Sequence, residues 1–310
     1  MEMKNIMLRS LFILLVLAVT ATSCTGAPEF ELVARELFEG PPRDAGFFQW
    51  GPGMTGARGM ILASGGAVMV IPEGAPLDEG IMIPLGGVPI GIETIGTNAW
   101  IAVNGLGLVA IDLSDHTDPR TWTAYEIKDI RSFTSVGRFL VVSSDRSGQY
   151  LFDAKKIPFQ GSPRLLSRLE DTAPGAQLAS TGTLVAAASG KDAVLMRINV
   201  SSKKLEKLSR VEAPAEITRA MISTEGILHL LSREGEVYRY GMEDPLSPVL
   251  LSSLPEKNIS DIYIGREGGL ALLESGQIIP FSIPGSRDQS GDPASPDPQY
   301  SLMRSEGMTR

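Results

Sequence analysis

A strand-like unit repeats six times along this 310-residue chain, and its period restricts the available folds more than any other feature. The unit shows best in GAVMVIP, GLVAIDL, GQYLFDA, AVLMRIN, GEVYRYG and GQIIPFS, apolar runs that mostly follow a turn glycine and close on a polar residue or breaker. Their last apolar positions are Ile71, Ile111, Phe152, Ile198, Tyr240 and Phe281, spaced 40, 41, 46, 42 and 41 residues apart. A period in this range marks stacked supersecondary units, none of which can bury its apolar face alone.

Between Pro89 and Ile127 one full unit reads PIGIETIG, TNAWIAVNG, GLVAIDLS and TWTAYEI. Each piece is a short β-branched or aromatic run bounded by Gly, Asn, Asp or Ser, which predicts four strands joined by tight turns. Ahead of the repeating runs stand MILAS, WIAVN, FLVVSS, LVAAAS, ILHLLS and LALLES, and after them IMIPL, TWTAY, RLLSRL, KLEKLSRV and PVLLSSL. The nearly continuous apolar runs suit strands covered on both faces. Four-stranded sheets packed face to face around an axis make a β-propeller. The expected fold is therefore all-β, a six-bladed propeller over residues 30–283.

Only five outer strands follow in order, because a polar tail begins straight after the sixth repeat. The segment FELVARELF, Phe30 to Phe38, is expected to supply the missing strand and close the ring, which removes exposed sheet edges. A short amphipathic helix is the other reading of that segment.

The amino terminus carries Lys4 and Arg9, then the apolar run Leu11–Ala21, about half the length that spans a bilayer. This is the layout of a secretory signal peptide. Ala21-Thr22-Ser23-Cys24 follows and resembles the lipobox of bacterial lipoproteins, although Ala21 stands where that family more often has Leu. The resemblance implies cleavage before Cys24, so residues 1–23 are the signal peptide, Cys24 is the acylated residue and 24–29 a tether. It also implies several acyl chains, and two or more make a stable membrane anchor. Cys24 is the sole cysteine, so acylation would leave no free thiol. With Thr25 rather than Asp next, the resemblance implies the cell envelope, at the outer membrane in a cell with two. An ordinary signal peptide with a cysteine near the cut is the alternative.

Without Glu2, Lys4 and Arg9 the net charge becomes −9 from −8. Acidity of this size repels nucleic acid and anionic lipid, no basic stripe stands out in the sequence, and no nucleic-acid partner is expected. The tail 284–310 is rich in Pro, Ser, Gly and Asp and is expected to be disordered.

The stretch GLVAIDLSDHTDP, Gly107 to Pro119, resembles the LVIVD repeat of bacterial surface propellers, with the other units matching its apolar skeleton. If Phe30–Phe38 is the closing strand, Cys24 lies within about 20 Å of the face carrying the first-to-second and third-to-fourth turns. The opposite face, with the second-to-third turns, would look away from the membrane. Its turn residues Asn104, Asp145, Arg146, Lys191, Asp192, Arg233, Glu234 and Glu274 are candidate ligand contacts, although polar residues are ordinary in hairpin turns.

No chemical motif stands out. HExxH, a cysteine pair, a carboxylate-rich calcium loop and a GxSxG elbow are all missing, so no metal or cofactor is expected. His229 lies in the strand ILHLLS and is expected to be a satisfied core residue, His116 to be a solvated turn residue. Trp50, Trp100 and Trp122 are expected to be packing. The leading expectation is a non-enzymatic module that presents its membrane-distal face to a protein or envelope partner. The alternatives are a lactonase- or lyase-like enzyme with carboxylates round the central channel, and a purely structural envelope component. Fold by itself does not choose among them.

Overall fold

The computed structural model describes residues 44–49 and 58–283, with interruptions at 73–74, 77–78, 116–117, 128, 155–163, 171–174 and 265–267. The signal peptide, Cys24 with its tether, the segment Phe30–Phe38, Trp50, His116 and the tail lie outside the described residues.

The described chain forms six consecutive antiparallel sheets. The first contains β1 (Asp44–Gln49), β2 (Arg58–Ser64), β3 (Ala67–Pro72) and β4 (Ile81–Pro84). The second contains β5 (Pro89–Ile95), β6 (Asn98–Val103), β7 (Gly107–Asp112) and β8 (Arg120–Tyr125), the third β9 (Ile130–Val136), β10 (Phe139–Ser144), β11 (Gly148–Asp153) and β12 (Arg164–Leu169). The fourth holds β13 (Gln177–Thr181), β14 (Leu184–Ser189), β15 (Asp192–Asn199) and β16 (Lys204–Glu212), the fifth β17 (Ile217–Ile222), β18 (Ile227–Ser232), β19 (Val237–Gly241) and β20 (Val249–Ser253). The sixth has three strands among the described residues, β21 (Ile259–Ile264), β22 (Gly269–Leu273) and β23 (Ile278–Phe281).

Every sheet is a plain meander, so its strands alternate in direction and its turns fall at two ends. The upper end carries the second-to-third turns and the connections to the next sheet; the lower end carries the first-to-second and third-to-fourth turns. First strands of successive sheets lie against one another, from β1 beside β5 to β17 beside β21, which puts them at the inner edge.

Face-to-face packing follows from strand pleating, which sends alternate side chains to opposite faces. In β6, Ala99, Ile101 and Val103 pack with Ile61, Val68 and Val70 of the first sheet. Its Trp100 and Ala102 pack the other way, with Phe133, Leu140, Val142 and Phe152 of the third. All six residues of β6 are buried, which accounts for the unbroken apolar run. The same arrangement joins the third sheet to the fourth, the fourth to the fifth and the fifth to the sixth. Each fully buried large side chain contributes about 1.5–3 kcal/mol relative to exposure, so these slabs dominate the stability.

The first strands are more polar than the second and third. Ser132 and Thr134 of β9, Ser180 of β13, Arg219 of β17 and Asp261 of β21 all sit there, which explains why the apolar pattern marks these strands faintly.

Candidate functional site

All eight turn residues singled out from the sequence fall at the upper end, as hairpin geometry requires. Asn104, Asp145, Arg146, Lys191, Arg233, Glu234 and Glu274 are exposed between second and third strands, and Asp192 opens β15. Four of them hold one repeated position. The backbone N–H of Asn104, Asp145, Arg233 and Glu274 donates to the carbonyl just ahead of its own sheet's first strand: Val88 (2.8 Å), Asp129 (2.9 Å), Glu216 (2.7 Å) and Asn258 (2.8 Å). The backbone of these residues thus extends the sheet, while their side chains stay available.

The side chains divide further. Asp192 receives Arg210 through Nε at 2.7 Å and through Nη2, and Arg210 is raised above its ordinary value by that hydrogen bond and the Asp192 charge. Arg233 pairs with Glu216 at 2.8 Å. Those two side chains are neutralised locally. Asn104, Arg146, Lys191, Glu234 and Glu274 have no side-chain partner among the described residues, with two cations on the third and fourth sheets and two carboxylates on the fifth and sixth.

Sequence reasoning missed a cluster beside these turns. The Tyr238 hydroxyl donates to Glu236 Oε2 at 2.6 Å, and Lys257 Nζ lies 3.6 Å from Glu236 Oε1. The hydrogen bond to Glu236, helped by burial, pushes the Tyr238 phenol up to about 12. The same hydrogen bond, with the Lys257 charge, holds Glu236 below its ordinary value against a smaller burial effect. Nothing in the local pattern marks these residues, because Lys257 arrives from the connection to the next sheet.

Polar side chains also link first strands along the inner edge. Ser135 Oγ donates to Glu93 Oε2 at 2.6 Å, Thr134 and Ser180 share a hydrogen bond of 2.8 Å, and the Leu178 N–H donates to Ser132 Oγ at 3.0 Å. Asp261 is buried and receives Arg219 at 2.6 Å. Among the described side chains of the first strands, the two carboxylates are engaged, Glu93 by a hydroxyl and Asp261 by a guanidinium. Among the described residues no three His, Cys, Asp or Glu side chains converge as a metal site would require.

Trp100 is wholly buried between the second and third sheets. His229 is buried too, but the satisfied state expected of it needs correcting. Neither ring nitrogen finds a hydrogen-bond partner among the described residues, and the ring sits 6.0 Å from that of Phe281. An apolar slab between two sheets offers few donors or acceptors, and burial lowers the imidazole to about 4.

The apparent lack of a basic stripe also needs correcting. Residues 155–210 carry ten Lys and Arg against four Asp and Glu, whereas the rest of the chain carries eighteen against thirty-two. Among the described residues, β12 with Arg168 and β16 with Lys204, Lys207 and Arg210 lie side by side.

No protein-family model matches this chain. No curated protein matches it either. Solved structures do. The β-propeller domain of Cps50 (Swd1) from Myceliophteria thermophila aligns with a TM-score of 0.61 at 12% identity, over 79% of this chain and 85% of that one. The computationally designed protein Ika8 aligns with a TM-score of 0.60 at 9% identity, over 79% and 72%. A candidate 6-phosphogluconolactonase from Bacteroides uniformis aligns with a TM-score of 0.59 at 12% identity, over 81% and 82%. At such identities these likenesses show the fold alone: this is an all-β chain of six antiparallel sheets with β-propeller architecture.

Proposed function

We propose that this protein is an exported lipoprotein, anchored through Cys24, whose six-bladed propeller is a non-enzymatic interaction module working through its upper end. The observation that carries the reading is the state of the carboxylates. Glu93 and Asp261 at the inner edge are tied into contacts between sheets, while the upper turns carry exposed charges of both signs, Arg146 and Lys191 with Glu234 and Glu274. Exposed, locally unpaired charges of both signs suit recognition of a polar protein surface, where they set specificity and association rate.

Ring closure by Phe30–Phe38 has two supports. Leu62, Met69 and Ile71 point away from the second sheet yet are 0, 2 and 5% exposed, so the first sheet is covered on both faces. The connections from a fourth strand to the next first strand are 85–88, 126–129, 170–176, 213–216 and 254–258. With Phe30–Phe38 as the closing strand, the five residues before Asp44 match those connections in length.

The test is capture of partners from membranes of cells making the full chain, comparing wild type with Arg146→Glu/Lys191→Glu. Partners lost with the double variant, while membrane attachment persists, would support the reading. An unchanged set of partners would oppose it, as would hydrolysis of a lactone that Glu93→Gln abolishes.

A further inference from the structure

The two ends of the ring differ in a way the turn sequences alone do not reveal. Eight large apolar side chains are exposed among the described residues, and only Val88 lies at the upper end. Met82, Leu165, Val200, Leu246 and Val249 lie at or near the lower end, where third-to-fourth turns and fourth strands begin; Leu250 and Leu251 continue along β20. Exposed large apolar side chains thus concentrate toward the lower end.

The basic sector meets this apolar rim at one hairpin. Residues 200–203 join β15 to β16, and Val200 at the tip is 54% exposed. Around it Arg197, Lys203 and Lys204 are exposed, with no ion pair among the described residues. The basic residues paired with acids, Arg168 with Glu170 and Arg210 with Asp192, sit toward the upper end instead. Carboxylates are present nearby: Glu206 accepts from the Asn199 amide at 2.9 Å, and Glu243 and Asp244 occupy the lower loop of the fifth sheet.

The hairpin is held in shape at some conformational cost. The Ser202 N–H donates to Asn199 Oδ1 at 3.0 Å, and Lys203 adopts φ of 55°. Among described residues with positive φ, only Lys203 and Asn258 are not glycine. A lysine there is disfavoured, whereas a glycine would not be.

We infer that this lower hairpin, with Val200 flanked by Arg197, Lys203 and Lys204, rests on anionic phospholipid headgroups. Cations beside an exposed apolar tip are the composition of an interfacial contact, in which charge attracts the headgroups and the apolar group enters the boundary below. A nucleic acid would use the charge but offers nothing for Val200 and Leu165. The inference rests on the anchored reading above for its biological setting, and places the polar upper end away from the bilayer.

The experiment uses the full chain with Cys24→Ser, so that no acyl chain contributes. Binding is measured by co-sedimentation with phosphatidylcholine vesicles with and without phosphatidylglycerol. The anion-dependent part should fall about tenfold or more with Lys203→Ser/Lys204→Ser. It should also fall with added salt, and severalfold with Val200→Ser. Lys203→Gly separates binding from folding, because it should raise the melting temperature while weakening the vesicle interaction. Unchanged binding in the double variant would overturn the inference, as would an oligonucleotide bound through the same lysines more tightly than the vesicles. The anchor is read separately, by labelled palmitate at Cys24. A missing label with vesicle binding intact would remove the anchor and leave the lipid surface standing.

Discussion

Arg219 of β17 holds Asp261 of β21 through Nη1, 2.6 Å from both carboxylate oxygens, and so ties the fifth sheet to the sixth at the inner edge. The two partners differ in exposure. The Asp261 side chain is 2% exposed, whereas that of Arg219 is 42% exposed. Their removal should therefore differ in cost. Arg219→Met strands a buried carboxylate and should cost about 3 kcal/mol, while Asp261→Asn leaves a guanidinium that can turn to water and should cost about 1 kcal/mol. Urea unfolding at neutral pH measures both, and equal costs would mean that Asp261 reaches solvent.

His229 should make the protein acid-sensitive. Burial, with the positive charge of Arg239, lowers it from 6.5 to about 4, opposed only by Glu225. The unfolded chain then binds this proton more readily than the folded one. Stability from this group is complete above pH 6.5, falls as pH drops, and levels off near 4, a loss on the order of 3 kcal/mol. His229→Leu should flatten that slope and stabilise the protein by about 1 kcal/mol at pH 7, since two unpartnered nitrogens leave an apolar slab. A titration of unfolding free energy from pH 7 to pH 4 decides it; identical slopes would refute the assignment.

Gly107 and Gly148 open the third strands of the second and third sheets with φ of 119° and 76°. A Cβ there would lie 2.1 Å from the Tyr125 carbonyl oxygen and 2.2 Å from that of Leu169. Alanine at either site should force the outer strand away and cost about 3 kcal/mol or more. Gly105, with φ of 76° and open space around it, provides the control: alanine there should cost only about 1 kcal/mol. Thermal melts of the three variants test the ranking.

Ring closure predicts that Val33→Pro lowers the melting temperature by several degrees, because proline lacks the N–H that a sheet ladder needs. The same substitution at Pro-rich positions of the tail, such as Ala294→Pro, should change nothing. A melt unaffected by Val33→Pro would leave the sixth sheet without this outer strand.

The second and third strands were legible because they are covered on both faces. Runs such as NAWIAV and FLVVSS are buried at every position and apolar at most of them, and that density survives in a single sequence. The first strands were harder to read. Segments such as IRSFTSV and ITRAMI mix polar residues, because one side of each lies near the inner edge. Their partners, as with Ser135 for Glu93, are about forty residues away.

By itself the sequence determined the all-β class, the repeat of six, the turn positions and the residues gathered at the upper end. Those follow from local chemistry, namely apolar runs that want burial and glycine or polar residues that permit tight turns. Which charges stay unpaired was decided only by the tertiary structure, since Arg210 reaches Asp192 through sheet register while Lys203 and Lys204 form no ion pair among the described residues. The fate of His229, the Arg219–Asp261 tie and the apolar lower rim were decided in the same way. Each depends on what a neighbouring sheet brings within a few ångströms, and no local pattern records that distance.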